Sequence, residues 1–234
     1  VIVDFYEKVG YLPEPLVNYL LLLGWALDDR TEFFSRPQMI EHFTLDRVNR
    51  SPASFDPNKL LAFQEHYMQG LPVAEKLTLV LPYLEAADLL PSPHVADPST
   101  YVTAILEAAG DRIKVAGEIL DYPEFFVADD AYPFEDKAFA KRLANAPESV
   151  ALLRSFKDQL AVAEPFEADN LEESMRRFVE SEGVKIGPII HALRVAVTGK
   201  AVGFGMFEIL EILGRERSLA RIDRALSLVE DSPS

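Results

Sequence analysis

GPIIHALRVAVTGKAVGFGMFEILEILGRERSLARIDRAL, residues 187–226, decides the fold of this chain. Gly187-Pro188 opens it, and a proline at a helix start costs nothing, because the N–H it lacks would have no partner there. Ile190, Leu193 and Val197 then recur at helical spacing. Gly199 stands where a helix end favours a residue that tolerates positive φ. A loop over residues 200–205 follows, with glycines at Gly203 and Gly205. Phe207, Leu210 and Leu213 start a second helix that Gly214 stops. A third carries Leu219, Ile222, Leu226 and Val229 on one face and Arg217, Arg221 and Arg224 on the other. The stretch reads as three helices around a short glycine-rich loop, with arginines beside it whose plainest reading is a solvated helix face.

The same punctuation repeats towards the N-terminus. Helices begin near Glu135, Pro147 and Glu167, the last with Glu167, Asp169, Glu172 and Glu173 at the positive end of its dipole. Phe125-Phe126 and the loop ADDAYP, residues 128–133, read as a subdomain boundary, with Asp129 and Asp130 as solvated loop carboxylates. Asp111 is expected to start a helix with Ile113, Ala116 and Leu120 inside and Arg112 and Lys114 outside. Before it, Asp97-Pro98 starts a helix that Gly110 ends, with Tyr101, Val102, Ile105 and Leu106 inward. The loop LLPSPHVADPS separates that helix from a helical stretch over residues 71–87. Asp56 caps a helix over residues 58–69 whose stripe is Leu60, Phe63 and Tyr67, and Arg36-Pro37 opens a short helix through His42. Residues 16–23 are apolar almost all round apart from Asn18, which marks a buried helix. Trp25 reads as core, and residues 1–10 as a short amphipathic helix ended by Gly10. With no convincing strand, the fold class is all-α.

The 234 residues suffice for a sizeable core, and an apolar fraction of 49% is ordinary for a globular protein. The absence of cysteine excludes disulfide and thiol chemistry and fits a reducing compartment. A formal charge of −15 argues against non-specific binding of a polyanion over the whole surface. Residues 185–224 nevertheless hold seven Lys/Arg against four Asp/Glu, 7 − 4 = +3, which leaves −18 elsewhere. A polyanion would therefore dock on a restricted face. No secretory leader or membrane span is visible, and the most apolar run is far short of the ~20 residues a bilayer requires.

Catalytic motifs are not found. His42, His66, His94 and His191 are scattered, with no HExxH pattern, so no metal site is expected. No GxSxG nucleophile occurs. GKAVGFG, residues 199–205, has the glycines of a phosphate loop, but Lys200 comes before them and the preceding segment reads as helix. ATP binding there is not expected. A loop of small residues between helices still admits a nucleotide closely, and splayed single-stranded bases are what sequence-specific RNA readers recognise.

LRVAVTG followed by FEILEILGRERSLARIDRAL resembles the C-terminal anticodon-binding end of bacterial glutamyl-tRNA synthetases. GYLPEPLVNYLLLLGW, residues 10–25, and SPASFDPNKL, residues 51–60, resemble further blocks of that family in the right order. The first of these follows the lysine loop of class I active sites in the family, and the chain starts with Val1, so the resemblance implies a piece of a longer enzyme. It implies a stem-contact segment over residues 1–70 and two helical anticodon-binding subdomains over residues 71–146 and 147–234. The whole enzyme would ligate glutamate to its tRNA with ATP and magnesium; this chain carries no catalytic residue and no cofactor of its own. Implied partners are glutamate-accepting tRNA and the catalytic domain of the same parent chain, with no DNA and no membrane, in a cytoplasmic monomer. The competing class is an acidic α-helical scaffold for protein interactions without RNA binding.

The resemblance also assigns residues. Arg194 matches an arginine that contacts anticodon bases, and Gly203 and Met206 match base-contacting positions. Gly203 lacks the hydroxyl that a threonine supplies there in relatives. Arg112 falls near a position implicated in reading the third anticodon base, Lys200 lies in the loop, and Lys59 is kept in the stem-contact block. The tryptophan and asparagine common after that block's KL pair are replaced by Ala62 and Gln64. Without the resemblance, Arg194 reads as a cation complementing a helix C-terminus.

Overall fold

The computed structural model describes residues 3–49, 53–90 and 97–231; Ser51, Pro52 and His94 lie outside them. Among the described residues every regular element is helical, and the only β-type pairing is an isolated antiparallel bridge between Trp25 and Val48. The chain groups into two compact units, Val1–Asp88 with Gly110–Asp121 and Leu89–Ala109 with Tyr122–Ser234.

In the first unit α1 (Val3–Val9) ends at Gly10, whose φ is 95°, and α2 (Pro13–Leu22) starts on its two prolines. α3 (Arg36–His42) is held by a capping box in which Ser35 and Gln38 serve each other's backbone. α4 (Pro57–Gln69) is capped by Asp56, whose carboxylate accepts from the N–H groups of Asn58 and Lys59. α5 (Val73–Ala86) follows. Tyr6, Tyr19, Leu60 and Phe63 make one core cluster, and Trp25, Phe34 and Met39 another. Asn18 shows why a polar residue interrupts the apolar run of α2. It is fully buried, donates Nδ2 to the Glu32 carbonyl, and accepts at Oδ1 from the Phe34 N–H and the Tyr67 hydroxyl. A buried amide with these partners fixes the 32–34 segment against α2 and α4.

The helix expected from Asp111 does not form. The segment makes two short 3₁₀ turns, Gly110–Arg112 and Ala116–Asp121. Its N–H groups go elsewhere: Lys114 and Val115 donate to the Glu118 carboxylate, and Ala116 donates to the Gly10 carbonyl. Gly117 presses so closely on α1 that a Cβ would sit 2.7 Å from the Val9 carbonyl oxygen. Tertiary contact has overridden the helical spacing, and Leu120, expected inside, is 37% exposed.

The second unit holds α6 (Pro98–Ala109), α7 (Asp136–Phe139) running into a π-helical turn (Ala140–Ala144), α8 (Pro147–Val162), α9 (Ala168–Glu182), α10 (Ile186–Thr198) and α11 (Met206–Glu230). Gly214, at φ 77° and ψ 167°, breaks α11 into the two helical pieces expected from the sequence. α10 packs on α8, α11 and the π-turn. Its Ile189, Leu193 and Val197 are fully buried, each contributing about 1.5–3 kcal/mol through the apolar surface removed from water. Phe125, Phe126 and Tyr132, read from the sequence as flanking a boundary, are core residues of this unit.

Candidate nucleic-acid interface

The loop after α10 is built from the backbone outward. Gly199 ends the helix at φ 77°, and a Cβ on it would stand 2.0 Å from the Pro133 carbonyl oxygen, so only glycine fits. Its own carbonyl accepts from the Glu135 N–H at 2.8 Å. Thr198 Oγ1 donates to the Arg194 carbonyl and accepts from the Lys200 N–H, which turns the chain sharply out of the helix. Across the loop, Arg194 Nη1 donates to the Phe204 carbonyl at 2.7 Å. The buried Phe204 ring stacks on Phe125 and leans on Tyr122, so the loop closes on an aromatic floor.

Three carboxylates surround this loop, two of them, Glu124 and Glu135, distant from Arg194 in sequence. Glu124 pairs with Lys200 Nζ at 2.8 Å, and that ammonium also lies over the Tyr122 ring. Glu135 accepts from the Ala201 N–H, and the Glu208 carboxylate folds over Gly205, 2.0 Å from where a Cβ would be. Burial pushes the Glu124 carboxyl up from its usual range, against the hydrogen bond and charge of Lys200, which pull it down. A loop furnished this way repels phosphate. The residues do not fit the triphosphate of ATP, and among the described residues no group of three or more His, Asp or Glu could hold a metal ion. Neutral base edges meet no such repulsion.

Beneath the loop lies an ionic web that corrects the expected solvated arginine face. Arg221 has no exposed surface. Its Nε donates to Asp129 Oδ1, its Nη1 to the Val197 carbonyl and its Nη2 to the Glu124 carbonyl, at 2.7, 2.7 and 2.8 Å. Arg217 joins through Asp129 and the Tyr101 hydroxyl, and Arg224 donates to the Tyr132 carbonyl while stacking on the Tyr132 and Phe134 rings. Asp129, expected in solvent, is the shared acceptor. Burial opposes its ionisation, but the Arg221 hydrogen bond and the charges of Arg217 and Arg221 together hold its carboxyl below the usual range.

Of the residues singled out from the sequence, Arg194, Lys200, Gly203 and Met206 meet at this loop. A Cβ on Gly203 would lie 3.4 Å from Arg194 Nη1. Met206 starts α11 and is only 3% exposed. Arg112 and Lys59 belong to the first unit. Arg112 is exposed on a 3₁₀ turn. Lys59 pairs with Glu32 at 2.7 Å, both side chains nearly half exposed. Gln64, which the resemblance sets in the stem-contact block, is fully buried; its Oε1 accepts from the Leu12 N–H and its Nε2 donates to the Lys114 carbonyl. Glu124, Glu135, Glu208 and Asp129 escaped the sequence reading because nothing local distinguishes them from the chain's many other carboxylates.

A family model described as "Anticodon binding domain" matches residues 75–226, and one described as "tRNA synthetases class I (E and Q), catalytic domain" matches residues 1–62. The chain is 36% identical over 230 residues to a glutamate–tRNA ligase of Moorella thermoacetica, covering 98% of this chain and 46% of that protein. It is 37% identical over 225 residues to one from Roseiflexus castenholzii, covering 96% and 44%. A solved glutamate tRNA ligase from Elizabethkingia meningosepticum, in complex with its amino acid, superposes with a TM-score of 0.84 at 26% identity, over 96% of this chain and 43% of that one. The chain spans about half the length of the curated relatives it matches.

Proposed function

We propose that this chain, which belongs to the anticodon-binding domain family and corresponds to the C-terminal anticodon-binding region of glutamate–tRNA ligases, holds a glutamate-accepting tRNA by its anticodon loop. The observation that carries the proposal is the loop over residues 199–205. It lies inside the matched domain, is pinned by Arg194 to Phe204, and is rimmed by carboxylates that disfavour phosphate and leave base edges as its ligand. Arg194 takes the base edge, its planar fork oriented by the Phe204 carbonyl. Gly203 offers backbone only, and Met206 supports the loop from below. Lys200 acts through Glu124, which holds its ammonium against the loop. Arg112 takes part in third-base reading, and Lys59 in contact with the tRNA stem.

On this reading residues 1–70 form the stem-contact segment and residues 71–146 and 147–234 the two anticodon-binding subdomains. The parent enzyme ligates glutamate to tRNA with ATP and magnesium, as a cytoplasmic monomer. The part of its catalytic domain beyond what residues 1–62 match is the partner of this chain. The exposed apolar side chains Val17, Leu20, Ile40, Phe43 and Leu45 support such a covering partner.

The test is binding of the chain to glutamate-accepting tRNA and to the same tRNA with a swapped anticodon, over a range of salt. Affinity should fall with salt and depend on the anticodon. Equal binding of both tRNAs, or none of either, overturns the reading and favours an acidic protein-interaction scaffold. The chain alone should give no ATP–pyrophosphate exchange.

A further inference from the structure

The rim of carboxylates around the loop raises the question of where a phosphate backbone could run. A basic group on α10 and the turn packed against it offers a place. His191 and Arg194 stand one turn apart on that helix, and the π-turn packed against α10 carries Lys141 and Arg142. Lys141 is exposed, while Arg142, His191 and Arg194 are half-buried. Among the described residues neither Lys141 nor Arg142 is ion-paired. Burial and then the charges of Arg142, Arg194 and Lys141 hold the His191 imidazole below its usual range, and no carboxylate is among the groups acting on it. In a protein with 38 acidic side chains against 23 basic ones, two neighbouring cations, Lys141 and Arg142, outside any ion pair are a local exception.

We infer that Lys141 and Arg142, with the uncharged His191 imidazole beside them as a hydrogen-bonding group, form a phosphodiester-binding face that takes the RNA strand flanking the bases admitted at the Arg194 loop. The inference rests on the anticodon-binding reading above and divides the labour within it. Carboxylates around the loop disfavour phosphates there and leave it to bases, whereas Lys141 and Arg142 on the turn packed against α10 attract the backbone and set the register of those bases.

The experiment compares the chain with Lys141→Ala/Arg142→Ala and with Lys141→Glu, using two probes: the anticodon stem-loop hairpin of glutamate-accepting tRNA and the same hairpin with an altered anticodon. The double variant should weaken both hairpins about tenfold and lower the slope of log affinity against log salt by about one to two. The ratio of the two affinities should stay as in the parent. Lys141→Glu touches an exposed side chain and should leave the melting temperature unchanged, so it carries the test alone if the double variant fails to fold. Variants that bind both hairpins with the parental affinity and slope overturn the inference. A parent chain that binds both hairpins equally instead overturns the anticodon reading and leaves the comparison of parent with variant intact; one that binds neither overturns both. Sodium phosphate added at constant ionic strength should displace neither hairpin, and displacement would mark a pocket for free phosphate rather than a surface for a strand.

Discussion

Nε of Arg221 lies 2.7 Å from Oδ1 of Asp129, in a place where the arginine has no contact with solvent. The same guanidinium holds the carbonyls of Val197, in the last turn of α10, and Glu124, whose side chain fixes Lys200. One planar fork thus joins three segments that meet under the candidate site, and it does so from a helix position that periodicity assigns to the surface. Desolvating a guanidinium is costly, and only the complete set of partners offsets that cost.

Arg221→Lys should therefore be far from conservative. Lysine carries the charge but cannot place donors at Asp129, Val197 and Glu124 together. Removing one member of a buried pair costs about 3–5 kcal/mol, and the lysine variant should lose much of that in urea unfolding. A loss under about 1 kcal/mol would show that the web is not needed for stability.

Asp129 gives the second unit a defined acid sensitivity. Its folded-state carboxyl titrates below the unfolded value of about 3.9. Its contribution is thus fully present above that value and is lost as pH falls through the folded value. Asp129→Asn should lower the melting temperature at pH 7, with the gap to the parent closing as the pH falls below 4. Glu124 has the opposite sign, since its folded carboxyl titrates above the unfolded value, so its contribution shrinks as pH rises through that window. A gap that stays constant from pH 7 to pH 3 would contradict the assignment.

Legibility in the sequence followed locality. Helix starts at Pro13, Arg36-Pro37, Asp56-Pro57 and Asp97-Pro98, and stops at Gly10, Gly110, Gly199 and Gly214, are written in one or two residues each and appear in the structure. The segment after Asp111 misled because its helical spacing is real, but Gly117 has to pass under Val9 and Glu118 takes the N–H groups a helix would use. Arg194, Lys200 and Gly203 could be placed beside one another because they share a single turn. Glu124 and Asp129 lie more than seventy residues from Lys200 and Arg217, their partners, and no period in the chain links them.

Gly199 and Gly203 should respond differently to one added methyl group. At Gly199 the backbone is left-handed and the Cβ would drive into the Pro133 carbonyl, so Gly199→Ala should cost more than the roughly 1–2 kcal/mol of the conformation alone. At Gly203 the nearest atom is Arg194 Nη1, at 3.4 Å, an ordinary van der Waals distance. Gly203→Ala should leave the melting temperature nearly unchanged and act on tRNA affinity instead. Equal destabilisation by the two would mean that the loop, rather than the helix end, sets the local strain.

Arg194 is the residue on which the base-reading proposal stands or falls. Its Nη1 bond to the Phe204 carbonyl gives it a part in shaping the loop whether or not RNA is present. Arg194→Ala removes that bond, with an expected stability loss of about 0.5–1.5 kcal/mol. If the guanidinium also reads a base edge, tRNA affinity should drop by about 1–3 kcal/mol, and the drop should differ between matched and swapped anticodons. Arg194→Lys separates the two parts. Lysine can still donate to Phe204 and keeps the positive charge near the helix end, so melting should stay close to that of the parent. It cannot present two parallel donors, so discrimination between anticodons should fall although the net charge is unchanged. The decisive set is melting temperature and affinity for both tRNAs, measured for the parent and the two variants. Full affinity with full discrimination in Arg194→Lys would leave Arg194 as a loop fastener and remove it from the base-reading site.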